Sequence, residues 1–570
     1  MTPASEISRA ERRWFAGLFA LLLGLRVLYA CNMNFSSDEA QHLHVVWGWA
    51  TGQLQYREVF DNHTPLFHIL CAPVFRLFGE TAMIMIYMRL AMIPLFAAAL
   101  FFVAKIGERL TSRRAGLWAA VFTGFAPFFF LKTVEFRTDD LWAAAWLGTV
   151  AIVVGGPLTA RRMFCAGLVL GATFSVSMKT TLLAPALLLA GLIALLLWRR
   201  NGGRLQARTL LGGLGASLAG LLVAPAAIIA YFAAQHALGA LYYGVIGHNL
   251  LPALSHQKRI ASRLYWFPAT LPFFVAAAYF ILRRTPDPAP AVRRVLVLLT
   301  AGFYLTLLHS YWPMITGQDY LPATPLLVVW LTPAVLALAA GLHVRFPRSP
   351  RLVLPVALAV AELATMLYLV RPKPRTGHYV EFLASMLRFT NPGDFVMDAK
   401  AGAIFRQRPF FYALENVTLV RMRLHLLADD IVPRLIKTRT CMASEDRLSP
   451  RDLTFVRANY LPFDMHMRVA GQYLLPDPVT GSSKFEIQIA ATYAIITPHG
   501  PATGTLDGEP YTGKVLLNVG SHEFVSLDPR PPHVLVWAQA LERGYLPDFS
   551  REPLKERPAA DEPSVADRGE

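Results

Sequence analysis

Along the first 370 residues, apolar positions gather into unbroken runs of about 17 to 25, the length of helix that crosses roughly 30 Å of hydrocarbon. The runs fall near 14–31, 81–104, 115–131, 139–155, 163–178, 180–198, 210–233, 265–282, 295–310, 320–341 and 352–370, which predicts about eleven membrane spans. Residues 32–80 interrupt the series. Their apolar stretches, 42–49 and 66–78, are too short to span and suit helices lying in the interface, with Trp47, Trp49 and Phe78 at headgroup level. Two further polar breaks follow: the brief KTVEFRTDD at 132–140, and a segment near 234–264 rich in His, Tyr and basic residues.

After Arg371 the hydropathy drops and the prolines of RPKPR mark a linker. HYVEFLASMLRFT has helical periodicity and PGDFVMD reads as turn and strand. From about 484 the texture is β: KFEIQIAATYAIITP alternates, and GTLDGEPYTGKVLLNVGSHEFVSL reads as strand, turn, strand, turn, strand. The predicted fold class is thus an all-α polytopic membrane domain, residues 1–371, followed by an α+β, β-rich soluble domain, residues 375–551. Residues 484–536 resemble the short β repeats called PEGA modules. Residues 552–570, charged and rich in Pro and Ala, are expected to be disordered.

Composition agrees: 54% of the 570 residues are hydrophobic and 16% charged, and the mean hydropathy of +0.40 excludes an ordinary soluble protein. The formal charge of +16 suggests nucleic acid only until its distribution is read. Arginines and lysines crowd alternate connections: Arg9, Arg12 and Arg13; Lys105, Arg109, Arg113 and Arg114; Arg161 and Arg162; Arg199 to Arg208; Arg283 to Arg294; Arg345 to Arg351. That is the positive-inside pattern, so these connections face the cytoplasm and the C-terminal domain lies outside. The C-terminal domain carries no nucleic-acid motif, and no nucleic-acid partner is expected. A carboxylate pair, not a small-residue cleavage site, follows the first run, so it reads as retained. Four cysteines, Cys31, Cys71, Cys165 and Cys441, show neither metal-ligand spacing nor a disulfide framework.

Charge beside a span is costly and marks candidate chemistry. Three places qualify, all on the predicted outer side. Asp38 and Glu39 follow the first run, and Asp38 shares a helical face with His42 four residues on. A carboxylate there can act as general base on a hydroxyl, or bind a metal with His42 and His44; the plain alternative is a helix N-cap with acidic residues complementing the dipole. Arg137, Asp139 and Asp140 head the fourth run, where the same plain reading applies. Lys179 stands as a lone cation between two runs, either snorkelling or countering a lipid phosphate.

The stretch DEAQHLHVVWGWATGQLQYREVFDNHTPLFHIL resembles the first outer loop of the GT-C membrane glycosyltransferases, which include protein O-mannosyltransferases and aminoarabinose transferases. RTDDLW is similar to that group's second acidic motif, SVSMKTTLLAP to its lysine-containing junction, and YWPMITGQDYLPATPLL to its late Tyr-Pro motif. The resemblance covers most of residues 1–371. It implies transfer of a sugar from a polyprenyl-phosphate donor to a hydroxyl on a lipid, polysaccharide or protein at the outer face of a bacterial inner membrane, with inversion. By position Asp38 is the base and Asp139 the second acid. Glu39, His42, His63, Arg137, Lys179, Arg259 and Tyr320 line donor or acceptor, and a divalent metal is left open. Where aminoarabinose transferases carry Glu-Lys before Pro-Pro, this chain has His63-Thr64-Pro65-Leu66, so Arg57, Lys179 or the Lys258/Arg259/Arg263 group must supply positive charge. Gln318-Asp319 replaces the usual Arg before Tyr320. The rival reading is a transporter or flippase of lipid-linked glycans, against which stands the absence of internal repeats in the sequence. A ligase for oligosaccharides on the same donor type is a third.

Overall fold

The computed structural model describes residues 7–203, 206–250, 267–283, 288–312, 314–346, 351–464 and 466–550. The chain divides into two compact units, Met1–Tyr379 and Val380–Glu570. The predicted disorder of 552–570 falls outside the described residues.

The first unit is helical. Its helices are α1 (Arg9–Asn32), α2 (Ser37–Thr51), α3 (Leu66–Phe78), α4 (Ile84–Ala91), α5 (Ile93–Leu110), α6 (Arg113–Phe125), α7 (Pro127–Lys132), α8 (Thr138–Val154), α9 (Ala160–Val176), α10 (Thr180–Arg200) and α11 (Ala207–Ala234). Phe267–Leu282, Pro288–Tyr311, Thr324–Arg345 and Val353–Leu369 follow. Helix occupies every predicted run. Among the described residues six stretches are long and apolar enough to cross a membrane: Arg9–Asn32, Ile84–Leu110, Thr180–Arg200, Ala207–Ala234, Ala289–Tyr311 and Thr324–Arg345. The chain is an integral membrane protein. The run at 115–131 is two helices because the ring of Pro127 pushes the residue before it out of the helical region; Ala126 sits at φ −54°, ψ 115°.

Small residues let some helices approach closely. A Cβ on Gly171 of α9 would stand 2.2 Å from the Leu221 carbonyl of α11, and one on Gly220 of α11 would stand 2.2 Å from the Phe164 carbonyl of α9. Backbone contact of this kind is how helices associate where lipid gives no hydrophobic incentive.

The break at 32–80 folds as the short apolar stretches require. Helix α2 opens on a capping box, with Ser36 Oγ accepting from the first turn and the Glu39 side chain returning to the Ser36 N–H, and it closes on Gly52 in the left-handed region at φ 85°. Helix α3 packs beside α2. The connections that carry the charged residues, α1 to α2, α7 to α8, α9 to α10 and the turn Gly317–Tyr320, meet at one end of the helices, as the ion pairs below require.

In the second unit a helix, Gly377–Phe389, begins just before the boundary and leads into an eight-stranded mixed sheet and a four-stranded antiparallel sheet. Strand Met467–Leu474 pairs with His533–Trp537, which pairs with Ala491–Thr497. The smaller sheet pairs Ser482–Ile487 with Gly520–Ser526. The LDG turn between Gly504–Leu506 and Glu509–Pro510 holds Asp507 at φ 51° and Gly508 at φ 85°, the left-handed pair a two-residue hairpin turn needs.

Candidate active site

At the acidic end of the first unit four carboxylates face three cations. Arg137, the N-cap of α8, reaches Asp38 Oδ2 at 2.5 Å, Asp139 Oδ2 at 3.2 Å and Glu135 Oε2 at 3.7 Å. Lys179, the N-cap of α10, lies 3.5 Å from Asp139 and pairs with Asp319, whose carboxylate is wholly buried. Lys132 holds Glu135 at 3.0 Å, and Gln318 donates to the same carboxylate at 3.2 Å. The chain of charges therefore runs from Asp38 through Arg137, Asp139 and Lys179 to Asp319, joining residues 281 positions apart in the sequence.

Exposure sorts these carboxylates. The side chain of Asp38 is 32% exposed, against 10% for Glu135, 5% for Asp139 and 0% for Asp319. Asp38 is the most exposed of the four. A short, charge-assisted bond from Arg137 helps to fix its position.

Glu39, read from the sequence as lining substrate, has a different place. Both its oxygens are buried and accept four hydrogen bonds: Arg89 Nε at 2.7 Å, Arg89 Nη2 at 2.6 Å, the Ser36 N–H at 2.8 Å and the Phe136 N–H at 2.7 Å. Arg89 also donates to the carbonyls of Met33 and Asn34, and its guanidinium lies over the Phe35 ring at 4.2 Å. Glu39 thus ties the residue next to Asp38 to the residue next to Arg137. Sequence reasoning missed Arg89, although a lone arginine inside an apolar run is the signal that should have found it.

Lys179 likewise differs from the lone cation of the sequence. Two carboxylates match its charge, so Asp319, the apparent departure at the late motif, is its partner. Lys179→Met should leave the buried Asp319 without a cation and Asp139 with Arg137 alone, and lower the thermal unfolding temperature. Adding Asp319→Asn should recover part of the loss, with a coupling of about 0.5–3 kcal/mol. Equal unfolding temperatures for the single and double variants would show that the pair carries no stability.

Of Asp38, His42 and His44, the possible metal set of the sequence, the structure brings His42 beside Asp61 and His63, with one potential ligand atom of each within 4.8 Å of the others. His44 stacks on Trp47. His42 Nδ1 lies 3.0 Å from His68 Nε2 of α3. Asp61 Oδ1 lies 3.0 Å from His63 Nδ1, and Asp61 Oδ2 accepts from Gln55 at 2.8 Å. Burial works against charge on both Asp61 and His63. Each nevertheless favours the charged form of the other, and the carboxyl lies below its usual range and the imidazole above it. The His68 imidazole has burial as its largest influence and is pushed down to about 4.

Tyr320 sets its hydroxyl 3.2 Å from His309 Nε2. Arg57 pairs with Glu58 at 2.5 Å and donates to the Gln235 carbonyl. Arg259, with Lys258 and Arg263, lies outside the described residues.

No protein-family model matches the chain, and no curated protein matches it by sequence. Among solved structures it is similar to ArnT from Cupriavidus metallidurans bound to undecaprenyl phosphate, at 14% identity over 80% of this chain and 97% of that one, with a TM-score of 0.44. It is also similar to the archaeal oligosaccharyltransferase AglB from Archaeoglobus fulgidus in complex with an inhibitory peptide and a dolichol-phosphate, at 13% identity over 83% of this chain and 74% of that one, with a TM-score of 0.45.

Proposed function

We propose that the chain is a membrane glycosyltransferase that moves a sugar from a polyprenyl-phosphate donor to a hydroxyl acceptor at the outer membrane face, with inversion and with Asp38 as general base. The observation that carries this reading is the partly exposed Asp38 carboxylate, pinned by Arg137 at the mouth of a buried charge network. The order of the four sequence motifs supports it independently.

The chemistry asks little else of the protein. A polyprenyl phosphate is already a leaving group, so the sugar carbon needs only an acceptor oxygen held in line and relieved of its proton. As the acceptor oxygen forms its bond to the anomeric carbon, the bond to the phosphate oxygen breaks and the acceptor proton passes to Asp38. Arg137 steadies the carboxylate before the transfer. Asp139 and Glu135 in turn hold Arg137, so the base stays fixed without closing its exposed side.

The second unit belongs on the outer side in this reading. Val479 is 92% exposed on that unit, so Val479→Cys should gain labelling by an impermeant maleimide in intact spheroplasts over the parent chain. Cys441 is buried and unsuited to the purpose. Labelling that appears only after lysis would put the unit inside and count the spans wrong by one.

Comparison of envelope glycolipids and polysaccharides by mass spectrometry, in cells with and without the protein, tests the reaction in place. The reading predicts one product lighter by a sugar in the cells that lack it. Unmodified glycans beside an altered distribution of the lipid-linked sugar between the two leaflets would point to a flippase instead.

A further inference from the structure

The first-loop histidines raise a question the charge network leaves open. A donor phosphate carries negative charge, yet among the described residues each cation of the network already faces a carboxylate: Arg137 faces Asp38, Glu135 and Asp139, Lys179 faces Asp139 and Asp319, and Lys132 faces Glu135. No cation in this cluster is left over for a phosphate.

We infer that His42, Asp61 and His63 form a binding site for a divalent transition-metal ion of the zinc class, held on the outer loop beside the charge network. One ligand atom from each of the three lies within 4.8 Å of the other two, a spacing that a modest inward movement converts to a coordination shell. Two imidazoles and one carboxylate suit zinc and its neighbours; magnesium and calcium take oxygen ligands.

Two of the ligands are oriented from behind, as bound metals require, and the third stands on a pinned loop. His42 has one ring nitrogen turned to His68 at 3.0 Å, which fixes the ring on α2. Asp61 has one oxygen held by Gln55 at 2.8 Å. The loop between them is pinned twice: Tyr56 donates to the His63 carbonyl at 2.5 Å, and Asn249 donates to the Asn62 carbonyl at 2.8 Å. A separate observation points into the same spot. His68 Nδ1 is fully buried, makes no hydrogen bond and stops 3.6 Å short of Asp61 Oδ2.

The site is open on one side. The His63 side chain is 36% exposed while those of Asp61 and His68 are wholly buried. Three protein ligands and one open position is the arrangement that accepts water or an anionic oxygen. Where the transferase reading holds, that oxygen belongs to the donor phosphate; the site itself does not depend on that reading. The plain alternative is a histidine cluster held only by its own hydrogen bonds.

The two are told apart on the tag-free, full-length protein in detergent, stripped with a chelator, reloaded with Zn²⁺ and dialysed, with retained metal measured by mass spectrometry. The inference predicts one equivalent of retained zinc, and a Co²⁺-loaded sample with the intense visible bands of a four-coordinate ion. His63→Gln, at a partly exposed position, and Asp61→Asn, an isosteric change at a buried one, should each abolish stoichiometric retention. Gln55→Ala should weaken binding by about 10- to 100-fold, as loss of an orienting partner does. Zinc retained equally by wild type and a folded His63→Gln, or no retained metal at all, overturns the inference. Because the readout is metal and not turnover, a chain that binds zinc but consumes no donor sinks the transferase reading and leaves the site standing.

Discussion

Asp38→Asn should reduce turnover by about two to four orders of magnitude, the usual worth of a general base, while expression and membrane insertion stay near normal. Asn keeps the shape of the side chain and one oxygen to accept from Arg137, but cannot take a proton. The structural cost is small for two reasons. Asp38 is the most exposed carboxylate of the cluster, and Arg137 keeps Asp139 and Glu135 as partners when Asp38 loses its charge. The prediction also separates Asp38 from its neighbours. Asp139→Asn and Asp319→Asn alter buried partners of Lys179, so their loss of activity should come with loss of stability. Near-normal turnover in purified Asp38→Asn, beside an inactive but fully stable Asp139→Asn, would move the base to Asp139.

Arg89→Leu should destabilise the first unit by about 3–5 kcal/mol, because it removes one partner of a buried pair and strands the other. Arg89 and Glu39 both have fully buried side chains, and the stranded Glu39 would keep only the Ser36 and Phe136 amides. The loss should fall on activity as well. Through Glu39 the arginine fixes the turn that presents Asp38 and the strap that presents Arg137, so the variant that survives should show a lower kcat with little change in KM. Arg89→Leu combined with Glu39→Leu should recover part of the stability, since an apolar pair can replace a buried ion pair at modest cost, but should not recover kcat. Thermal unfolding in nanodiscs reads the first effect and donor turnover the second. Wild-type stability in Arg89→Leu would show that the pair is incidental.

The helices were legible because each apolar run has to be satisfied by its own backbone hydrogen bonds in lipid. Run by run, α1, α8, α9, α10 and α11 lie within a few residues of the expected bounds. The break at Pro127 was legible in principle and was overlooked because hydropathy alone does not register backbone geometry. In the second unit the DG turn and its flanking strands followed from local turn chemistry. The parallel pairing of Val396–Met397 with Met442–Ser444 did not, since no short-range signal joins residues so far apart.

At the site the sequence singled out Asp38, Arg137, Asp139 and Lys179, each a charge at the end of an apolar run, and the structure brings all four into one network. It misjudged what they do for one another. Glu39 looked like a second substrate carboxylate because its partner Arg89 lies fifty residues away inside another run. Lys179 looked unmatched because Asp319 reaches it only through the fold. Asp61 passed unnoticed because an acidic residue two positions from a histidine is unremarkable until His42 and His68 are brought beside it.

The central claim is that this chain consumes a lipid-linked sugar, and the most direct test supplies one. Purified protein in proteoliposomes is given a panel of defined polyprenyl-phosphate sugars together with a hydroxyl-bearing acceptor lipid, and release of free polyprenyl phosphate is followed with formation of the glycosylated acceptor. The account predicts that at least one donor yields both products in equal amounts, that the new glycosidic bond has the opposite anomeric configuration to the donor, and that Asp38→Asn yields neither. Donor that crosses the bilayer unchanged, with no polyprenyl phosphate released by wild type for any member of the panel, would contradict it.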